Sequence, residues 1–119
     1  MNLVFVEAGG FTQIWADYFE DDEAYRNFQE HLMRVPTEGR VIQGSGGLRK
    51  LRWIDPRRGK GKRGGLRILY LYLPEFEKLA LLDIYDKDEK DDLTAAQRRI
   101  LAEIAETIRR SFEERRSKR

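Results

Sequence analysis

The chain has 119 residues, 37% of them charged, 40% hydrophobic and none cysteine. That length leaves room for one modest core and implies a single domain over residues 1–119, with no cofactor domain beside a substrate domain. The missing cysteines exclude a disulfide framework, a thiol nucleophile and a Cys-based metal site, and they fit a reducing compartment. No apolar run approaches the roughly 18 residues of a membrane span. The start, MNLVFVEAGG, lacks the basic opening of a signal peptide, so the expected location is the cytoplasm.

The net charge of +2 conceals a strong asymmetry. Residues 1–39 hold two Lys/Arg against eight Asp/Glu, residues 40–72 ten against one, and residues 73–119 eleven against twelve. A basic block within a nearly neutral chain implies a polyanion contact at one place.

In chain order, Leu3-Val4-Phe5-Val6 reads as a strand. Phe11, Ile14, Trp15, Tyr18 and Phe19 recur at helical spacing, and Tyr25, Phe28, Leu32 and Val35 form the stripe of a second helix. Asp21-Asp22-Glu23 places acids at its start, and Pro36 stops it. Gln43 to Gly47 reads as a flexible loop. Leu48 to Ile54, Leu66 to Leu73 and Leu79 to Tyr85 are expected strands, with the basic, glycine-rich segment Arg57 to Gly65 between the first two. Asp83, Asp86, Asp88, Asp91 and Asp92 lack the spacing of a calcium loop and read as a solvated turn. Thr94 and Gln97 match a capping box ahead of a helix whose stripe runs from Ile100 to Phe112, with a frayed tail from Arg115. The order is β-α-α-β-β-β-α. The expected fold is a compact α+β domain, with a twisted antiparallel sheet, two N-terminal helices and a C-terminal helix.

The chemistry concentrates in the basic block. Alternation along the strand from Leu48 sends Lys50 and Arg52 to one face and Leu51 and Trp53 to the other. Arg67 opens the next strand, and Tyr70 and Tyr72 follow on it. A sheet face lined by Lys, Arg and Tyr suits single-stranded RNA, because cations hold phosphates and rings stack bases. Arg49, Arg57, Lys60, Lys62, Arg63 and Tyr70 are the expected RNA contacts. The lone histidine, His31, has no partner motif and reads as structural. Histidine general-base chemistry is therefore not expected, and RNA supplies its own nucleophile, the 2′-hydroxyl. Lys and Arg can stabilise the charge that develops on the phosphate, and crowding lowers a lysine's pKa so that it can exchange a proton.

The segments VIQGSGGLRKLR (Val41 to Arg52), GKGKRGGLRILY (Gly59 to Tyr70) and LLDIYDKDEKDDLT (Leu81 to Thr94), taken together, resemble toxins of the RelE/HigB branch of type II toxin–antitoxin systems. The resemblance covers nearly the whole chain. It implies a ribosome-dependent mRNA endonuclease that inhibits translation, with a cognate antitoxin, the ribosome and mRNA as partners and no cofactor, metal or membrane. It places the catalytic cations at Lys50, Arg52, Arg67 and Lys87. Arg52 stands where a second lysine is common. The tyrosine that such toxins carry late in the site has no counterpart from Glu89 to Leu93, which leaves Tyr70 or Tyr85 for that place. Two other readings share the pattern: a ParE-like poison of DNA gyrase on the same fold, and a non-catalytic RNA-binding domain.

Overall fold

The computed structural model describes residues 2–8, 10–54, 65–86 and 93–118. Its elements are β1 (Val4–Glu7), α1 (Phe11–Tyr18), α2 (Asp22–Arg34), β2 (Arg40–Val41), β3 (Arg49–Trp53), β4 (Leu66–Leu73), β5 (Lys78–Asp86) and α3 (Ala95–Ser117), with a 3-10 turn at Pro74–Phe76 between β4 and β5. The fold is α+β, as the hydrophobic periods imply. The five-stranded sheet has the order β1-β5-β4-β3-β2.

The sheet is mixed, not antiparallel. β2 to β5 form the antiparallel meander. β1 lies parallel to β5 at the far edge, with Phe5 beside Leu79. The physical reason is the connection that follows β1. The α1–α2 pair carries the chain from one edge of the sheet to the other, so no hairpin ties the direction of β1 to that of a neighbour. β2 was not expected, because a two-residue strand carries no periodicity.

Each face of the sheet is covered by helix, from different parts of the chain. On one face, α1 and α2 bury Phe11, Phe19, Tyr25, Phe28 and Leu32 against Leu51, Leu66, Ile68, Tyr70, Leu79, Leu81 and Ile84. α2 starts where the acids promised, with the Asp21 carboxylate accepting from the Ala24 N–H at 2.8 Å. Trp15 stacks on Tyr25 at 4.4 Å, and the Tyr25 hydroxyl donates to Glu7. Burial, reinforced by the Glu7 carboxylate, pushes the Tyr25 phenol well above its ordinary pKa.

On the other face, Ala105 and Phe112 of α3 pack on Leu48, Leu71, Leu73, Ala80 and Leu82. The capping box is present, with Gln97 N–H donating to the Thr94 hydroxyl at 3.1 Å and Thr94 N–H to the Gln97 side chain at 2.9 Å. The expected fraying of the tail does not begin at Arg115, since α3 continues to Ser117. Its end is held where the Arg116 guanidinium lies 4.7 Å from the centre of the Phe76 ring.

β4 is buried along nearly its whole length because both its faces meet helix. In β5, Leu82 is an extra residue: Leu69 pairs with Asp83, but Tyr70 pairs with Leu81. Leu82 and Asp83 therefore fall on the α3 side together, and the alternation beyond them is reversed. Ile84 joins the α1–α2 core, while Tyr85 packs with Leu69 and Leu93 on the α3 side. The expected solvated aspartate turn is corrected here for two of its members. Asp83 and Asp86 belong to β5, and Asp86 is buried.

The glycine-rich segment between β2 and β3 is a built turn, which corrects the flexible-loop expectation. The buried Ser45 hydroxyl donates to the Ile42 carbonyl at 2.6 Å and accepts from the Leu48 N–H at 3.1 Å. Gly44, Gly46 and Gly47 take positive φ, which L side chains rarely adopt. The Arg109 guanidinium of α3 donates to the Gly46 carbonyl at 2.9 Å. Ser45→Ala strands the Leu48 N–H, and the expected loss of unfolding free energy is about 1–3 kcal/mol. Urea denaturation checks it, with a lower midpoint at an unchanged slope as the expected result.

Candidate nucleic-acid interface

α3 begins at Ala95, beside Leu93, and does not cover the end of the sheet where β3 finishes and β4 starts. Among the described residues, that end holds a groove of about 1430 Å³, with Lys50, Arg52, Arg67 and Tyr85 on its floor and Arg40, Gln43, Gly44 and Arg98 around it.

Strand register sets the floor. Arg52 pairs with Arg67, and Arg67 with Tyr85, so the three form one row across β3, β4 and β5. In the next row, Arg40 pairs with Lys50 across β2 and β3. Like charges directly opposite each other in a sheet repel. Among the described residues, five cations (Arg40, Lys50, Arg52, Arg67 and Arg98) line the groove against one carboxylate, that of Glu38. Glu38 is itself engaged, with its Oε1 2.8 Å from His31 Nε2.

The cations differ in how they are held. Arg67 is only 7% exposed, and its Nη1 donates to the Leu66 carbonyl at 3.2 Å. Burial fixes its direction, and a guanidinium stays charged there. Arg98 is held through Nη1 by the Leu93 carbonyl at 2.9 Å. Arg52 and Arg40 are exposed, and the guanidinium of neither forms a hydrogen bond or ion pair with a described residue. A planar fork with open donors fits phosphate bidentately.

Of the four expected catalytic cations, the structure brings Lys50, Arg52 and Arg67 together. Lys87 lies outside the described residues, as do the expected RNA contacts Arg57, Lys60, Lys62 and Arg63. Two further RNA contacts are corrected. Arg49 shares the α1–α2 face with Leu51, and its Nη1 donates to the Thr37 and Gly39 carbonyls at 3.1 and 2.8 Å, so it pins the segment leading into β2. Tyr70 is fully buried and offers no ring to a base. Its hydroxyl donates to the Pro36 carbonyl at 2.8 Å and accepts from the Gly39 N–H at 2.9 Å. Burial raises its pKa. Both corrections follow from parity, since residues an odd number of steps apart on a regular strand face opposite ways. By that rule Arg49 opposes Lys50, and Tyr70 opposes Arg67.

Tyr85 is the tyrosine of the groove. Unbroken alternation from Leu79 would send it into the α1–α2 core, and only the bulge at Leu82 brings it beside Arg67. Arg40 and Arg98 were not singled out from sequence. Arg40 opens the basic block, and that is the one signal it gave. His31 sits against Trp53, with ring centres 5.2 Å apart. Among the described residues no group of three or more His, Cys, Asp or Glu side chains has the arrangement to hold a metal ion. No family model matches the chain.

Two substitutions separate scaffold from site. Tyr70→Phe leaves the Gly39 N–H without its partner, and the expected cost is about 1–3 kcal/mol of stability with RNA affinity unchanged. Arg52→Gln removes cross-strand repulsion, so stability holds or rises by a few tenths of a kcal/mol while RNA affinity falls. Urea denaturation and fluorescence anisotropy with a single-stranded RNA check both.

Proposed function

We propose that this chain is a ribosome-dependent mRNA endonuclease, the toxin of a type II toxin–antitoxin pair of the RelE/HigB kind. One observation carries the reading: Arg52 and Arg67 stand opposite each other beside Tyr85, with Lys50 on the same face, in a groove that α3 leaves open.

The arrangement suits cleavage by the substrate's own 2′-hydroxyl. The 2′-oxygen attacks the adjacent phosphorus, the bond from phosphorus to the 5′-oxygen breaks, and a 2′,3′-cyclic phosphate and a 5′-hydroxyl result. In the proposed step Arg52 and Arg67 hold the non-bridging oxygens as charge builds on them. Lys50 is the candidate acceptor of the 2′-hydroxyl proton. The Tyr85 hydroxyl is the candidate donor to the leaving 5′-oxygen. No metal or cofactor enters the scheme. On this reading the protein works in the cytoplasm, and an antitoxin silences it by laying an acidic or apolar segment over the cationic face.

Inducing the chain in bacteria and mapping new mRNA 5′ ends tests the reading, with Arg67→Ala and Arg52→Ala as controls. Cuts at defined codon positions inside translated frames are expected. Their frequency should fall about a hundredfold or more in both variants, the usual cost of removing a transition-state charge partner. Growth arrest with a DNA-damage response and continuing translation would point to gyrase instead. Unchanged cutting by a soluble Arg67→Ala variant would remove the assigned site.

A further inference from the structure

The row next to Arg52 and Arg67 repeats its chemistry. Arg40 pairs with Lys50, two residues along β3 from Arg52. That step is about 6.6 Å along a strand, close to the separation of successive phosphates in a nucleic-acid strand. Arg98 faces the same part of the groove. It lies one helical turn before Ala102, whose backbone is the nearest neighbour of Gly46 in the β2–β3 turn. Its Nη1 is held by the Leu93 carbonyl, and among the described residues no ion pair engages the rest of its guanidinium. The Arg40 guanidinium has no hydrogen bond or ion pair to a described residue.

Gln43 and Gly44, just after β2 in the chain, line the same groove as these two arginines and form its rim. The rim is rigid because Ser45 ties the turn to Ile42 and Leu48 and because Arg109 ties it to α3. Gly44 has φ of +76° and no atom within 4 Å of where a Cβ would sit. A strand of nucleic acid can therefore approach its backbone closely.

We infer that the groove has a second phosphate station, formed by Arg40 and Arg98 across the Gln43–Gly44 rim, one nucleotide along from the Arg52–Arg67 pair. The inference rests on the reading that the groove takes RNA. It adds that the ligand is a single strand gripped through two successive phosphates and led off the sheet over β2. Arg40 is exposed on the edge strand β2.

The test uses 2′-O-methyl oligonucleotides, which cannot be cut by their own 2′-oxygen. A dinucleotide carries one bridging phosphate and a trinucleotide two. With the wild-type chain at low salt, the trinucleotide should bind roughly tenfold tighter than the dinucleotide, a typical return for a charge-assisted phosphate contact. Its log K against log salt should be steeper by about 0.7. Arg40→Ala should reduce the ratio of the two affinities to below about threefold and remove the extra slope. Arg98→Gln, its fold checked by circular dichroism, should do the same. The inference is overturned if the wild type shows no gain from the second phosphate, or if neither variant lowers the ratio. It is also overturned if a hexaglutamate peptide binds more tightly than the trinucleotide, which would mark the station as a protein-docking site. The ribosomal cleavage assay separates the two readings. A two-phosphate grip without any cutting would sink the nuclease and leave the station standing, and cutting without the gain would do the reverse.

Discussion

One extra residue in β5 decides what chemistry the sheet can present. A strand alternates its side chains, so a single insertion exchanges the faces of everything beyond it. Leu82 is that insertion. Before it, Leu79 and Leu81 point to α1 and α2; after it, Ile84 does, and Asp83 and Tyr85 turn to the side of α3. Without the bulge, Ile84 would lie in the cationic groove, and Tyr85 would have to bury its hydroxyl among Phe and Leu side chains. The bulge thus serves the core and the groove together.

The second constraint is coverage. α3 buries the α3-side face of the sheet from Leu73 to Leu69 and begins too late in space to reach Arg67. The uncovered end has to be polar, but nothing in packing requires cations to outnumber carboxylates among its described residues, as they do. Arg52 opposite Arg67 is a conflict between local electrostatics and the fold, and such conflicts collect at functional sites. The acidic side chains of α1 and α2, among them Asp17, Glu20, Asp22, Glu23 and Glu30, are exposed on the opposite face. The molecule is therefore polarised through its thickness.

Much of this was legible in the sequence. Helical stripes, the Asp21 cap, the Thr94–Gln97 box and the period-two pattern of β3 each have a local physical cause, and each appears where its cause put it. The floor of the site was legible for the same reason, since Lys50, Arg52 and Arg67 are placed by strand parity alone. The misses share a different origin. The parallel direction of β1 depends on a connection that spans the sheet. The bulge has no Gly or Pro at Leu82 to announce it. The turn at Gln43–Gly47 looks flexible by composition, but it is locked by a hydroxyl and by a guanidinium 63 residues away in sequence. Tyr70 and Arg49 lie on the α1–α2 side by the same parity that puts Lys50 and Arg52 on the other, so their basic and aromatic character is a poor guide to their place.

The central claim is that the open end of the sheet, not the helical faces, receives RNA. The most direct measurement is an NMR titration of the labelled chain with a 2′-O-methyl RNA oligonucleotide, following backbone amides and arginine side chains. The account predicts shifts at Arg40, Lys50, Arg52, Arg67, Tyr85 and Arg98, with α1 and α2 silent. Shifts centred on α1 and α2, or on the outer face of α3 with the groove silent, would contradict it.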